Sequence, residues 1–266
     1  MWDAASGRRI RVAFVVGDYP PEERKRREDA ALAYSSAEVE VGIVSVKASP
    51  YFIGNAPDLL GVAVPPFLDA FREAEKQGYD AVVPLGTLDL GVDAGRCVVD
   101  IPVVGPSESM LHIAAMLGRR FGIIMYDDFV IPLGYRMVER CHMIDKVVGW
   151  RTCGFELPDI IANRDKVVNT FVDRARELIK LGADVILPMG ITQCPVHIKP
   201  DWLMKELGVP VVEGIGAPIR FAAMLVSLNL NYSRGFWPKS GLVKGKDKSK
   251  DKGKGKGKHK DKHKGK

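Results

Sequence analysis

"YDAVVPLGTLDLGVDAG", residues 79–95, decides the fold once it is laid beside "GADVILPMGITQCPVHIKP", residues 182–200. Asp80, Pro84 and Gly86 of the first stretch recur as Asp184, Pro188 and Gly190 of the second, each 104 positions later. Both are apolar runs that break at a glycine into polar residues, the pattern of a buried strand ending in a loop. The register continues downstream. "IPVVG" (Ile101 to Gly105) is echoed by "VPVVEG" (Val209 to Gly214), and "AAML" at Ala114 returns at Ala222, both now offset by 108. The chain therefore carries an internal duplication, with four residues added in the second loop, where Cys194 lies.

Composition sets the outer limits. With 266 residues and 46% hydrophobic content the chain can bury a full core. It has no repeat of roughly twenty to fifty residues, which excludes a solenoid. The apolar run Ile10 to Val16 has the length of a strand, and no stretch approaches the roughly 20 apolar residues that a membrane span needs. Cys97, Cys141, Cys153 and Cys194 are scattered with neither CxxC nor His/Cys spacing, which argues against a zinc site or a disulfide scaffold. A reducing cytoplasm is the simplest compartment.

The net charge of +6 is unevenly placed. Residues 241–266 hold twelve lysines and three aspartates, a charge of +9 that leaves −3 for everything before. We therefore divide the chain into a body, 1–238, and a Lys-rich tail, 239–266, too poor in apolar residues to offset its ordering entropy and so expected to be disordered. Such a tail binds polyanions non-specifically or serves as a solubilising extension.

Within the body, short apolar strands alternate with helical segments. Strands are expected at 10–16, 39–46, 81–85, 103–104, 121–125, 147–149, 185–187 and 211–212. Helices are expected at 21–33, 66–77, 107–117, 128–140, 165–181, 198–207 and 218–228. The alternation predicts an α/β fold of parallel sheets, and the duplication predicts two pseudo-twofold-related parallel-sheet halves with the site in the cleft between them. Gly86 and Thr87 end one duplicated strand, and Gly190, Ile191, Thr192 and Cys194 follow the other. The loops "GPSES" and "GIGAP" lead into helices, with Ser107 as a candidate N-cap and Pro218 as a candidate first residue, so free backbone amides there are candidates to hold an anion.

"VDAGRCVVDIPVVGPSESMLHIAAMLGRRFGIIMY", residues 92–126, resembles the aspartate/glutamate/hydantoin racemase superfamily, and "ADVILPMG" with "LGVPVVEGIGAPIRFAAML" resembles the matching part of its second half. The resemblance covers roughly residues 9–236. It implies a racemase or isomerase that needs no cofactor, acts on a small anionic or amide-type substrate and forms a homo-oligomer. It also implies a thiol at the end of each duplicated strand, one to remove a proton and the other to reprotonate the opposite face. Those positions are Gly86 and Gly190 in this chain, and a glycine transfers no proton. Members of the arylmalonate decarboxylase type resemble it here, with a glycine followed by threonine at the first position, as in Gly86 and Thr87. They also carry a carboxylate-holding tyrosine, matched by Tyr126, and a thiol in the second loop, near Cys194. Decarboxylase or lyase chemistry, or a non-catalytic binding role, stands as the alternative.

The candidate catalytic residues are thus Cys194, Thr87 and Tyr126. Gly86, Thr87, Ser107, Glu108, Tyr126, Gly190, Ile191 and Thr192 are the candidate substrate contacts, and no metal is expected. For Cys194, the helix starting just behind it is expected to lower the thiol's pKa, and Pro195 to hold it extended. A buried packing thiol is the plain alternative. Ser107 and Glu108 read as capping residues ahead of ligand contacts, His112 as a core histidine, and Cys97, Cys141 and Cys153 as packing residues. Asp18 and Tyr19 follow the first strand, where a rim of the site and an ordinary turn are both open.

Overall fold

Two three-stranded parallel sheets, each built around a strand with no exposed face, form the frame. The computed structural model describes residue 2 and residues 7–47, 57–155, 160 and 162–239. In the first half, β1 (Ile10–Val16) pairs with β2 (Val39–Ser45) on one side and β3 (Ala81–Pro84) on the other. In the second, β4 (Phe121–Met125) pairs with β5 (Val147–Thr152) and β6 (Val185–Pro188). Every residue of β3, β4 and β6 is buried, as expected of parallel strands covered on both faces. The expected strands at 103 and 211 are single bridges, Val82 to Val103 and Ile186 to Val211, extending the two sheets at equivalent places.

The helices are α1 (Pro21–Leu32), α2 (Pro57–Lys76), α3 (Val92–Val98), α4 (Pro106–Leu117), α5 (Ile131–Arg140), α6 (Arg164–Lys180), α7 (Pro200–Leu207) and α8 (Gly216–Ser227). Five differ from expectation by two residues or more, among them α5, which starts at Ile131 behind a 3-10 turn at Asp128–Val130, and α7, which starts at Pro200. α2 begins at Pro57 and runs through Pro65 and Pro66, because its inward face of Ala63, Phe67, Ala70, Phe71 and Ala74 is buried against the sheet and packing outweighs the proline penalty. α3 has no counterpart in the expected elements. α8 starts two residues before Pro218, and His112 on α4 is exposed rather than in the core, its Nδ1 2.7 Å from the Glu108 carbonyl. None of the described helices is long and apolar enough to cross a membrane.

The last helix of each half crosses over. Ile219, Ala222, Ala223 and Val226 of α8 lie in one cluster with Ile10, Val12, Phe14 and Val83 of the first sheet. Met110, Leu111 and Ala114 of α4 join Phe121, Ile123, Val185 and Leu187 of the second. Each half completes the other's core, so the duplicated units make one body and the carboxyl ends of β3 and β6 are held against each other. The tail assignment from residue 240 onward lies outside the described residues.

Candidate active site

The cleft opens where β3 and β6 end. Thr87, one residue beyond Gly86, donates from Oγ1 to the carbonyl of Met189 at 3.0 Å, so the two glycine-ended strands meet directly. Gly86, Thr87, Tyr126, Ile191 and Thr192 line the cleft, joined by Tyr19 and Arg27 from the first half. Its cavity volume is about 30 Å³, more than the roughly 10–15 Å³ that one water needs on the same measure.

Both glycines are built into this geometry. Gly86 has φ +111°, a conformation that side-chain-bearing residues rarely adopt. A Cβ at Gly190 would lie 2.8 Å from Gln193 Oε1 and 2.9 Å from Tyr126 Cε1. The space a side chain would take at Gly190 is thus filled by the chain's own residues, and a thiol at either position would require rearrangement.

A hydrogen-bonded chain crosses the cleft. Glu23 accepts from Arg27 Nη1 at 2.7 Å, Arg27 Nη2 donates to Thr192 Oγ1 at 2.5 Å, and the Thr192 amide donates to the Tyr126 hydroxyl at 2.9 Å. The Arg27 guanidinium also stacks 4.1 Å from the Tyr19 ring centroid. Burial pushes the Tyr19 phenol up to about 12, and burial likewise raises Tyr126 against the opposing pull of Thr192 and Arg27. Both are protonated acids at neutral pH. Glu23 remains a carboxylate: burial pushes it up, but the Arg27 hydrogen bond and charge outweigh that and hold it below its usual range. His197 Nε2 lies 3.3 Å from the same carboxylate, and burial of the imidazole holds its pKa low, so it is neutral.

Four expectations are corrected. Cys194 is extended, as Pro195 requires (φ −136°, ψ 127°), but it is fully buried, packs among Ile160, Phe171 and Ile198, and does not line the cleft. Burial, reinforced by the charge of Glu213, raises its thiol well above the usual value, so the expected lowering by a helix is reversed. Ser107 is not the N-cap of α4. Gly105 holds that position, and Ser107 donates from Oγ to the Thr87 carbonyl and from its amide to Asp89. Glu108 turns from the cleft to pair with Arg96.

The fourth correction concerns the helix starts as anion sites, because the chain's own carboxylates occupy them. Asp89 accepts from the amides of Ser107 and Glu108 at 2.7 and 3.1 Å. Glu213 accepts from those of Ile215 and Gly216 at 2.6 and 2.7 Å and from the Tyr34 hydroxyl at 2.8 Å. Burial raises both carboxyls, Asp89 to about 7.

Residues 26–222, most of the body, match the profile of the Asp/Glu/Hydantoin racemase family. The chain belongs to that family. Its relatives by sequence include the hydantoin racemases of a Pseudomonas species, 27% identical over 78% of this chain and 82% of that one, and of Rhizobium meliloti, 26% identical over 74% and 81%. Among solved structures, allantoin racemase from Klebsiella pneumoniae superposes with a TM-score of 0.79 at 20% identity, covering 87% of this chain and 94% of that one. Arylmalonate decarboxylase superposes with a TM-score of 0.56 at 20% identity, covering 85% and 96%. This member of the racemase family thus keeps the fold and cleft while its strand ends are glycines, Gly86 in a backbone conformation that disfavours a side chain and Gly190 with its side-chain space filled by Gln193 and Tyr126. Sequence reasoning missed Arg27 and Glu23. The available signal was a helix polar on every side, "PEERKRREDAAL", immediately behind β1, whose buried positions are Glu23, Arg27 and Ala31.

Proposed function

We propose that this chain is a racemase-like enzyme that needs no cofactor and acts on a small molecule whose reacting carbon is acidified by a carboxylate or carbonyl, of the hydantoin or amino-acid-like class. The observation that carries this reading is the two-sided cleft. Tyr19 and Thr87 approach from one half and Tyr126 and Thr192 from the other. Racemisation needs that arrangement, because the proton leaves one face of the carbon and returns to the other. The groups here are hydroxyls rather than thiols: Tyr19 and Tyr126, held protonated by burial, can return a proton to the carbon, and the base that first takes one is not among the described side chains lining the cleft. The relatives' activities support the reaction class, and four free cysteines fit a reducing cytoplasm. A homo-oligomer is the family expectation.

A second reading, decarboxylation or another lyase reaction, is favoured by one feature. The cleft is lined by Tyr19 and Tyr126, both held protonated by burial, beside the Arg27 guanidinium. In a decarboxylation the bond to the carboxylate breaks, carbon dioxide leaves, and the electron pair remaining on carbon needs only a proton from one such acid. The test is incubation in deuterated water with hydantoins, amino acids and aryl malonates. Solvent deuterium entering the carbon without loss of mass identifies racemisation, and carbon dioxide release identifies decarboxylation. Silence on all of them sinks both readings in favour of a binding homologue.

A further inference from the structure

Arg27 is the charged residue among the described side chains lining the cleft, and it is only 1% exposed. Burying a guanidinium against a carboxylate is rarely worth its desolvation cost, and an apolar pair of similar volume commonly holds a fold as well or better. Stability therefore does not account for an Arg27–Glu23 pair at this place. Glu23 holds the guanidinium through Nη1, with a second bond from Nη1 to the Glu23 carbonyl at 2.7 Å. Nη2 reaches across to Thr192 Oγ1. That bond joins the cleft walls beside the cavity, so a ligand that reaches Arg27 Nη2 competes with Thr192 for it. What replaces Thr192 Oγ1 on Nη2 must be an oxygen acceptor, and a negatively charged one makes the stronger, charge-assisted bond. Tyr126 accepts the Thr192 amide, which places its hydroxyl beside the same position.

We infer that Arg27 is a substrate-binding residue that reads a carboxylate, an anionic oxygen taking the place of Thr192 Oγ1 on Nη2, so that the chain selects anionic carbon acids over neutral cyclic ureides such as hydantoin. The inference rests on the reading of the cleft as an active site and names the substrate class for it. Glu23 acts through Arg27 as a positioning residue.

The test is calorimetric binding to the full chain with phenylmalonate and glutamate as anionic probes and hydantoin as the neutral one. Arg27→Met alone leaves buried Glu23 with only its longer contacts to Arg26 and His197, so the removal variant is Arg27→Met with Glu23→Gln. Arg27→Lys, which keeps the charge but not the planar fork, is the folding-safe companion. At least one anionic probe is expected to bind the wild-type chain more tightly than hydantoin. The double variant is expected to weaken that probe about tenfold or more, with Arg27→Lys between and hydantoin affinity nearly unchanged. A loss of selectivity of this kind is not produced by a merely structural role. Wild-type protein that prefers hydantoin, or that binds neither anion, overturns the inference, as does a variant that retains the anion's affinity. Exchange in deuterated water separates this result from the reading beneath it. Exchange of an anionic probe that survives the double variant undiminished sinks Arg27 as the reader and keeps the racemase. Arg27-dependent anion binding with no turnover of any carbon acid does the reverse.

Discussion

Gly86 and Gly190 show at the residue scale how far this chain has moved from a two-thiol site. Gly86 sits at φ +111°, and the room at Gly190 is taken by Gln193 and Tyr126. Gly86→Ala and Gly190→Cys are each expected to destabilise the chain by about 1–3 kcal/mol, the first through backbone strain and the second through overpacking. Urea midpoints equal to wild type would show that the backbone accommodates a side chain after all. Asp89 supplies a pH prediction. Its folded-state pKa, about 7, lies above the ordinary value of 3.8, so the folded protein holds its proton where the unfolded chain has released it. The associated stability is fully present below about pH 4 and is lost as pH rises through about 7. Asp89→Asn cannot titrate. Its stability, from denaturant melts at pH 5 and pH 8, should fall less across that interval than that of wild type, and parallel losses in the two proteins would refute the assignment.

The helix crossing is the decisive feature at the scale of elements. Ile219 belongs to the second half in sequence, yet it packs on β1 and β3. Ile219→Ala is expected to cost about 2–5 kcal/mol. The amides that gain hydrogen exchange should be those of β1 and β3 rather than β6, and loosening confined to β6 would contradict the crossing. Periodicity located most elements because buried strands and amphipathic helices announce their buried faces. It passed over α3, a single short stretch inside a loop-like sequence, and started α2 late because the propensity of Pro65 and Pro66 is a local quantity while burial of the Phe67 and Phe71 face is not. α1 was placed correctly as a helix, but its function was hidden. A helix with no apolar face gives no sign of which side turns inward, and here the inward side carries the Glu23–Arg27 pair.

For the whole molecule, the described chain closes on itself before the lysine-rich stretch. Arg234 and Lys239 pair with Asp100, and Arg234 also donates to the carbonyls of Arg96 and Val99. Truncation after Gly241 is therefore expected to leave the melting temperature within about 2–4 °C of wild type. Any binding of the full chain to heparin or nucleic acid should vanish on truncation and fall steeply with salt, whereas a large drop in melting temperature would show that the segment docks on the body. The duplication, the parallel α/β class, the placement of Thr87, Tyr126, Ile191 and Thr192 near the strand ends, and the family were all written in the sequence, because repeated strand ends and their buried runs are local patterns. Only the tertiary structure decided that Asp89 and Glu213 fill the helix starts, that Cys194 turns into the core, that Glu108 leaves the cleft for Arg96, and that Arg27 enters it. Each of those outcomes depends on which group occupies a shared space in the packed fold, and a buried charge or thiol takes its chemistry from neighbours distant in sequence, as Thr192 lies 165 residues from Arg27 along the chain.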